Sequence, residues 1–359
     1  MANLKFLEDI TLAKGVSGFE KDVTRVMKEY TSDCRDDYMY DNLGSFVAVK
    51  KGTTDLKFLI TGHVDEIGFV VKEICEDGYI RVHPLGYWNG QTVPAHTAIL
   101  TTREGKEYTG VFAFDNWMFS GKSMDARSKA FNPGDFYFDI GIESKDEAKQ
   151  LGIRIGDPIC PKSEFTVMAN PKYLMSKAWD DRVGAAIACD VLKELKGETI
   201  PCNLYAAGTV QEEVGLRGAR TVGQMVQPDV AIALDVGFSK DVPNGEKGDV
   251  KLGCGVTLGV LDGSVIGHTG LLKVMEKVCE DLEYPYVLDV LVGGGTDSGE
   301  LHKVGAGVVN MTISIPSRYM HSHHTIINVE DYDKTVKVLA EFARRLTPEL
   351  LESIKEDKR

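Results

Sequence analysis

Four short apolar runs punctuate the chain at residues 57–61, 203–210, 229–234 and 307–315, each ended by small or polar residues. Runs this short, apolar at nearly every position, predict strands buried on both faces, as in a parallel sheet. Between and after them the apolar positions follow the helical period. From Arg182 to Leu195, Val183, Ala186, Ile187, Val191 and Leu195 share one broad face. Over residues 331–346, Tyr332, Val336, Leu339, Ala343 and Leu346 do the same. Strand and helix in alternation predict an α/β fold, a mixed and largely parallel sheet with helices on both faces.

Residues 69–164 have a different texture. Glycine and proline break up short β-prone pieces at 79–82, 97–102 and 107–112, the pattern of a small antiparallel barrel. One helix is predicted late in the segment by Ser144-Lys-Asp-Glu147, a capping box ahead of Ala148 and Leu151. The polar stretch 116–135 reads as an exposed loop, and Trp88 and Trp117 as packing or contact residues. Residues 1–68 and 165–359 then form one larger domain, and 69–164 a β-barrel domain inserted into it.

A length of 359 residues suits two domains. The net charge is −13 and no basic run or stripe is present, which argues against a nucleic-acid partner. The opening Met-Ala-Asn-Leu-Lys-Phe-Leu-Glu-Asp-Ile puts acids where a signal peptide needs an apolar stretch. No window reaches the length of a membrane span. Seven scattered cysteines, without a C-x-x-C pair, predict reduced thiols in a cytoplasmic protein instead of disulfides or a thiolate zinc site.

The polar residues at the strand ends carry the chemistry. His63 closes the first run, Glu212 and Glu213 follow the second, Asp235 closes the third, and His321 follows the fourth. In open α/β sheets, ligands and catalytic groups collect at the carboxyl ends of strands, so these side chains are expected to converge. Asp180 and Asp181 precede the helix that begins at Arg182. A role as N-cap acids accounts for one of them, and a carboxylate shared by two metals is the alternative for the other. Neutral imidazole is a good zinc or cobalt ligand. Asp65, on the same strand face as His63, could accept the other imidazole proton. Of two adjacent glutamates, one can bind metal while the other moves a proton. His321, His323 and His324 crowd one loop, and spacing alone does not choose among them. The run from Gly293 to Gly299 lacks the lysine of a phosphate-binding loop and reads as a tight turn bringing backbone near a ligand. Together these are the ingredients of a two-metal hydrolytic site.

Six motifs, in order, carry a resemblance over nearly the whole chain. They are Gly62-His-Val-Asp-Glu-Ile-Gly68, Trp179-Asp-Asp-Arg182, Gln211-Glu-Glu-Val-Gly215, Leu234-Asp-Val-Gly237, Gly294-Gly-Thr-Asp297 and Arg318-Tyr-Met-His-Ser322. The chain resembles the glutamyl and deblocking aminopeptidases, the tetrahedral dinuclear-metal family. The resemblance implies that Asp180 bridges two metals, with His63 and Asp235 completing one site and Glu213 and His321 the other. It implies that Glu212 is the general base and that Asp65 orients His63. It further implies zinc or cobalt (sometimes manganese), peptide substrates with a free N-terminus, and assembly as a tetrahedral dodecamer. The chain departs from the family pattern by lacking a Pro-Pro-His run within 111–135 and a Gly-Pro after the glycines of 251–259. Alternative activities on such a scaffold are an N-acyl amino-acid deacylase, a dipeptidase or a glycan-directed hydrolase, the last because two carboxylates also serve glycoside hydrolysis.

Overall fold

The computed structural model describes residues 1–114 and 132–359. Trp117 and most of the polar stretch read as a loop lie outside the described residues. The four apolar runs form the strands Lys57–His63, Asn203–Thr209, Val230–Phe238 and Val309–Arg318. They pair in parallel, in the spatial order Asn203–Thr209, Lys57–His63, Val230–Phe238, Val309–Arg318, at the centre of an eleven-stranded sheet of the described residues. Antiparallel pairs extend the sheet through Phe46–Lys50 on one side and Thr325–Asn328 on the other.

Alternation along these strands feeds two cores. Phe58, Ile60, Leu204, Ala206, Ile232 and Leu234 point to the face covered by the helices Trp179–Glu194 and Val329–Arg345. Leu59, Ala207, Ala231 and Ala233 point the other way, against Ala219, Val222 and Val226 of the helix Arg217–Val226. Both faces are covered, which is why these strands carry no polar alternation. Gly62 permits the closest helix–strand approach, because a Cβ there would lie 2.2 Å from the backbone nitrogen of Ala185. The strand predicted to end at Leu234 continues to Phe238, so Asp235 sits within it, paired in register with Ser314. On its other side the pairing with Lys57–His63 ends at Ala233. Asp235 is thereby paired to a neighbouring strand on one side only.

The strands Gly68–Ile74, Ile80–Leu85, Tyr137–Asp139, Glu107–Ala113, Thr97–Thr101 and Pro158–Pro161 close into an antiparallel barrel. The barrel has its own core, in which Phe69, Phe112 and Phe138 pack with Ile80, Leu100 and Ile159. Trp88 stacks on Phe69 and donates its indole N–H to the Gly68 carbonyl at 3.1 Å, a packing role with the polar edge satisfied. Ser144 caps the helix Lys145–Leu151 by accepting from the Glu147 N–H at 3.2 Å. The Glu147 carboxylate reaches one residue further back than expected, accepting from Glu143 N–H at 2.7 Å. Among the described residues, no helix is long and apolar enough to cross a membrane.

Candidate metal centre

The ends of the central strands open into one cavity of about 800 Å3, whose lining includes Asp180, Glu212, Glu213, Asp235 and His321. His63 reaches the same cluster from beneath. Asp180 is the hub. Its Oδ1 lies 3.0 Å from Nε2 of His63, and its Oδ2 lies 3.1 Å from Nε2 of His321. Each imidazole also faces a glutamate: His63 Nε2 is 3.8 Å from Glu212, and His321 Nε2 is 3.7 Å from Glu213. One donor atom each from His63, Asp180 and Glu213 falls within 4.8 Å of the others, close enough to hold an ion.

Local backbone decides which aspartate joins the cluster. The peptide between Asp180 and Asp181 is cis, and regular helix begins after it. Asp181 accepts from the Gly184 N–H at 3.0 Å and from the His63 N–H at 3.2 Å. It is therefore an N-cap turned away from the cavity, which leaves the Asp180 carboxylate facing the imidazoles.

The distal nitrogens of both histidines are held by backbone. His321 Nδ1 lies 2.7 Å from the carbonyl of Tyr87, a residue after the barrel strand Ile80–Leu85. His63 Nδ1 lies 3.0 Å from the backbone carbonyl of Asp65, while the Asp65 carboxylate is 3.5 Å away. That carboxylate is occupied elsewhere. It accepts from Ser17 Oγ at 2.6 Å and from the N–H groups of Glu212 at 2.9 Å and Glu213 at 3.2 Å. Asp65 thus straps the turn bearing both glutamates. Glu20 adds a second strap by accepting from the Gln211 N–H at 3.1 Å.

Beneath the site Glu66 is buried between two cations, 2.5 Å from Lys177 and 2.7 Å from Arg182. Arg182 also donates to the carbonyls of Ile10, Thr11, Ala13, Gly15 and Val64. Ser17, Glu20, Tyr87 and Lys177 carry no sequence signal of their own, because each acts by reaching across from a distant segment. Glu66 and Arg182 lay inside recognised motifs without an assigned task. His323, two residues after His321, is buried and stacked on His96 with ring centres 4.0 Å apart. His324 instead meets Ser163 Oγ at 3.1 Å.

The electrostatics describe a site crowded with negative charge. Burial, with Asp235 and Glu213 beside it, pushes Glu212 well above the usual carboxylate range. Burial and the nearby Asp180 raise Glu213 to about 8. Burial and Asp180 likewise hold Asp235 well above its ordinary value. Burial opposes charge on His63 and His321, but Asp180 and its neighbours outweigh it, raising His63 well above the ordinary value and His321 to about 10. Those imidazoles draw Asp180 the other way, below the usual range despite its burial. Buried like charges of this kind need cations between them. Glu213 Oε1 is buried and has no hydrogen-bond partner among the described residues, as expected of an atom kept for an ion. Imidazole with carboxylate oxygen suits zinc and its first-row neighbours, so the donor set fits a divalent metal.

A family model described as M42 glutamyl aminopeptidase matches residues 44–338. The chain belongs to this family. The Lactococcus lactis subsp. cremoris (strain MG1363) glutamyl aminopeptidase is 32% identical over 349 residues, covering 96% of this chain and 97% of the relative. The structure of a TET aminopeptidase from the marine sediment archaeon Thaumarchaeota archaeon SCGC AB-539-E09 superposes with a TM-score of 0.94 at 35% identity, covering 98% of this chain and 99% of that one. The Pyrococcus horikoshii TET1 peptidase, which can assemble into a tetrahedron or a large octahedral shell, gives 0.86 at 27% identity over 96% of this chain and 99% of its own. The M42 chain described here is a peptide hydrolase.

Proposed function

We propose that this M42 chain is an aminopeptidase using two divalent cations, zinc or cobalt with manganese as a further possibility, to release N-terminal residues from peptides. The observation that carries the reading is the Asp180 carboxylate, with one oxygen toward each of two imidazoles. In this proposal Asp180 would be shared by the two ions, with His63 and Asp235 helping to hold one and Glu213 and His321 the other. Bound there, the cations would activate a water and polarise the scissile carbonyl. Glu212, 3.8 Å from His63 Nε2, serves in this proposal as the general base, the role that the family resemblance implies for it. Its carboxylate takes a proton from the attacking water and returns it to the departing amine. The Tyr87 and Asp65 carbonyls hold the far nitrogens of His321 and His63, fixing which ring nitrogen faces the ions. Homo-oligomerisation is proposed on the likeness to the Pyrococcus horikoshii peptidase, which can assemble into a tetrahedron, and the tetrahedral dodecamer on the family resemblance and on a neighbour whose structure is a dodecamer.

Glu212→Gln tests the assignment. Turnover should fall about 10²–10⁴-fold, the usual range for a lost acid–base group, with metal content per chain unchanged. Loss of metal in that variant would make Glu212 a ligand and end its assignment as base.

A further inference from the structure

Beyond the charged cluster, the walls of the cavity are apolar: Leu216, Val236, Phe238, Leu291, Val292 and Met320. Three apolar side chains at its edge stand open to solvent, with Val292 92%, Tyr87 82% and Phe238 59% exposed. Exposed apolar side chains gathered at the rim of one cavity mark a surface kept for contact with a ligand. The opposite observation is equally informative. Among the described residues no lysine or arginine lines the cavity, and its carboxylates are Asp180, Glu212, Glu213 and Asp235. All four have tasks in the metal centre, and two divalent cations would neutralise them.

Among the described residues that line the cavity, an acidic N-terminal side chain would find no cation to pair with, and a basic one no carboxylate to spare. Either would set an unpaired charge against apolar walls, which is costly wherever the bound residue is shut off from water. A large apolar side chain would bury its surface against those walls and displace water. The geometry points to a pocket that selects peptides with a large, uncharged, apolar N-terminal residue, of leucyl or phenylalanyl type, with Phe238, Leu291, Val292 and Met320 as the selecting walls. This inference rests on the aminopeptidase reading and narrows it to a substrate class that the glutamyl name of the family does not suggest.

The metal-loaded protein should be assayed with leucyl-, phenylalanyl-, alanyl-, glutamyl- and lysyl-p-nitroanilide, with N-acetyl-leucyl-p-nitroanilide alongside. The expected kcat/KM for the leucyl or phenylalanyl substrate exceeds the alanyl, glutamyl and lysyl values at least about tenfold. In calorimetry, where no turnover is needed, L-leucine should bind more tightly than L-glutamate. Phe238→Lys places a cation on the wall at an exposed position and should lower the leucyl-to-glutamyl ratio at least about tenfold with metal content unchanged. Glutamyl or lysyl substrate cleaved faster than leucyl would overturn the preference and leave the aminopeptidase reading standing. An unchanged ratio in Phe238→Lys would remove Phe238 from the selecting wall and overturn the assignment of this surface. Cleavage of the N-acetylated substrate alone, or of none, would overturn the aminopeptidase reading and the preference with it.

Discussion

Asp65→Asn keeps the shape of a fully buried side chain and removes the charge that straps the Glu212–Glu213 turn. In the native site each carboxylate oxygen is committed. Oδ1 accepts from the Glu212 N–H at 2.9 Å, and Oδ2 from Ser17 Oγ at 2.6 Å and the Glu213 N–H at 3.2 Å. An asparagine has one oxygen and one NH2, so whichever way it turns, an NH2 meets a backbone N–H. The least damaging orientation puts the NH2 at the Oδ2 position, where Ser17 can rotate to accept and only the Glu213 N–H is orphaned. An orphaned buried donor costs about 1–3 kcal/mol. The surviving bonds also lose their charge assistance, which brings the total to about 2–4 kcal/mol. If that free energy is lost from the positioning of Glu212 and Glu213, kcat/KM falls about 30- to 1,000-fold. The assay is kcat/KM on the preferred p-nitroanilide, with metal content and the urea midpoint measured on the same preparations. A variant within about threefold of the parent in kcat/KM, with an unchanged midpoint, would refute the strap.

The metal-free protein should lose stability as pH rises from 7 to 9. Glu213, raised to about 8 by burial and Asp180, holds a proton in the fold that the unfolded chain has already released, so its contribution is complete below the ordinary carboxylate range and is lost as pH rises through about 8. His321 works in the same direction: its contribution is complete below the ordinary imidazole value and is lost toward about 10 as its partnership with Asp180 ends. Thermal midpoints in chelator should therefore fall across this window and recover when zinc is restored, and a flat profile in chelator would contradict the coupling. Assembly is read by light scattering: a mass near twelve chains of 39.4 kDa supports the dodecamer, and a monomer mass excludes it.

Much of the fold was legible because the central strands are apolar at nearly every position and the flanking helices keep their stripe on one face. Those patterns give a parallel sheet covered on both sides, with the ends of its strands as the place for chemistry. The six motifs went further and named the family. Contacts between residues far apart in sequence were not legible. The Tyr87 carbonyl holds His321 across 234 positions, and Ser17 reaches Asp65 across 48. A backbone carbonyl has no residue type to read, and a serine in a loop has many uses.

The sequence by itself determined the sheet, the helices on its faces, the β-rich insertion and the set of side chains brought to one edge. Tertiary structure decided how those side chains divide the work. Asp180 and Asp181 are chemically identical, and only the turn of the backbone sends one to Gly184 and His63 as a cap and the other to the imidazoles. Asp65 was expected to spend its carboxylate on His63, yet two N–H groups and a hydroxyl lie closer to it. Asp235 was placed at a strand end, but Val309–Arg318 extends the pairing beyond it while Lys57–His63 does not. Residue type sets which chemistry is available. Which partner each group meets depends on distances that only the packed chain supplies.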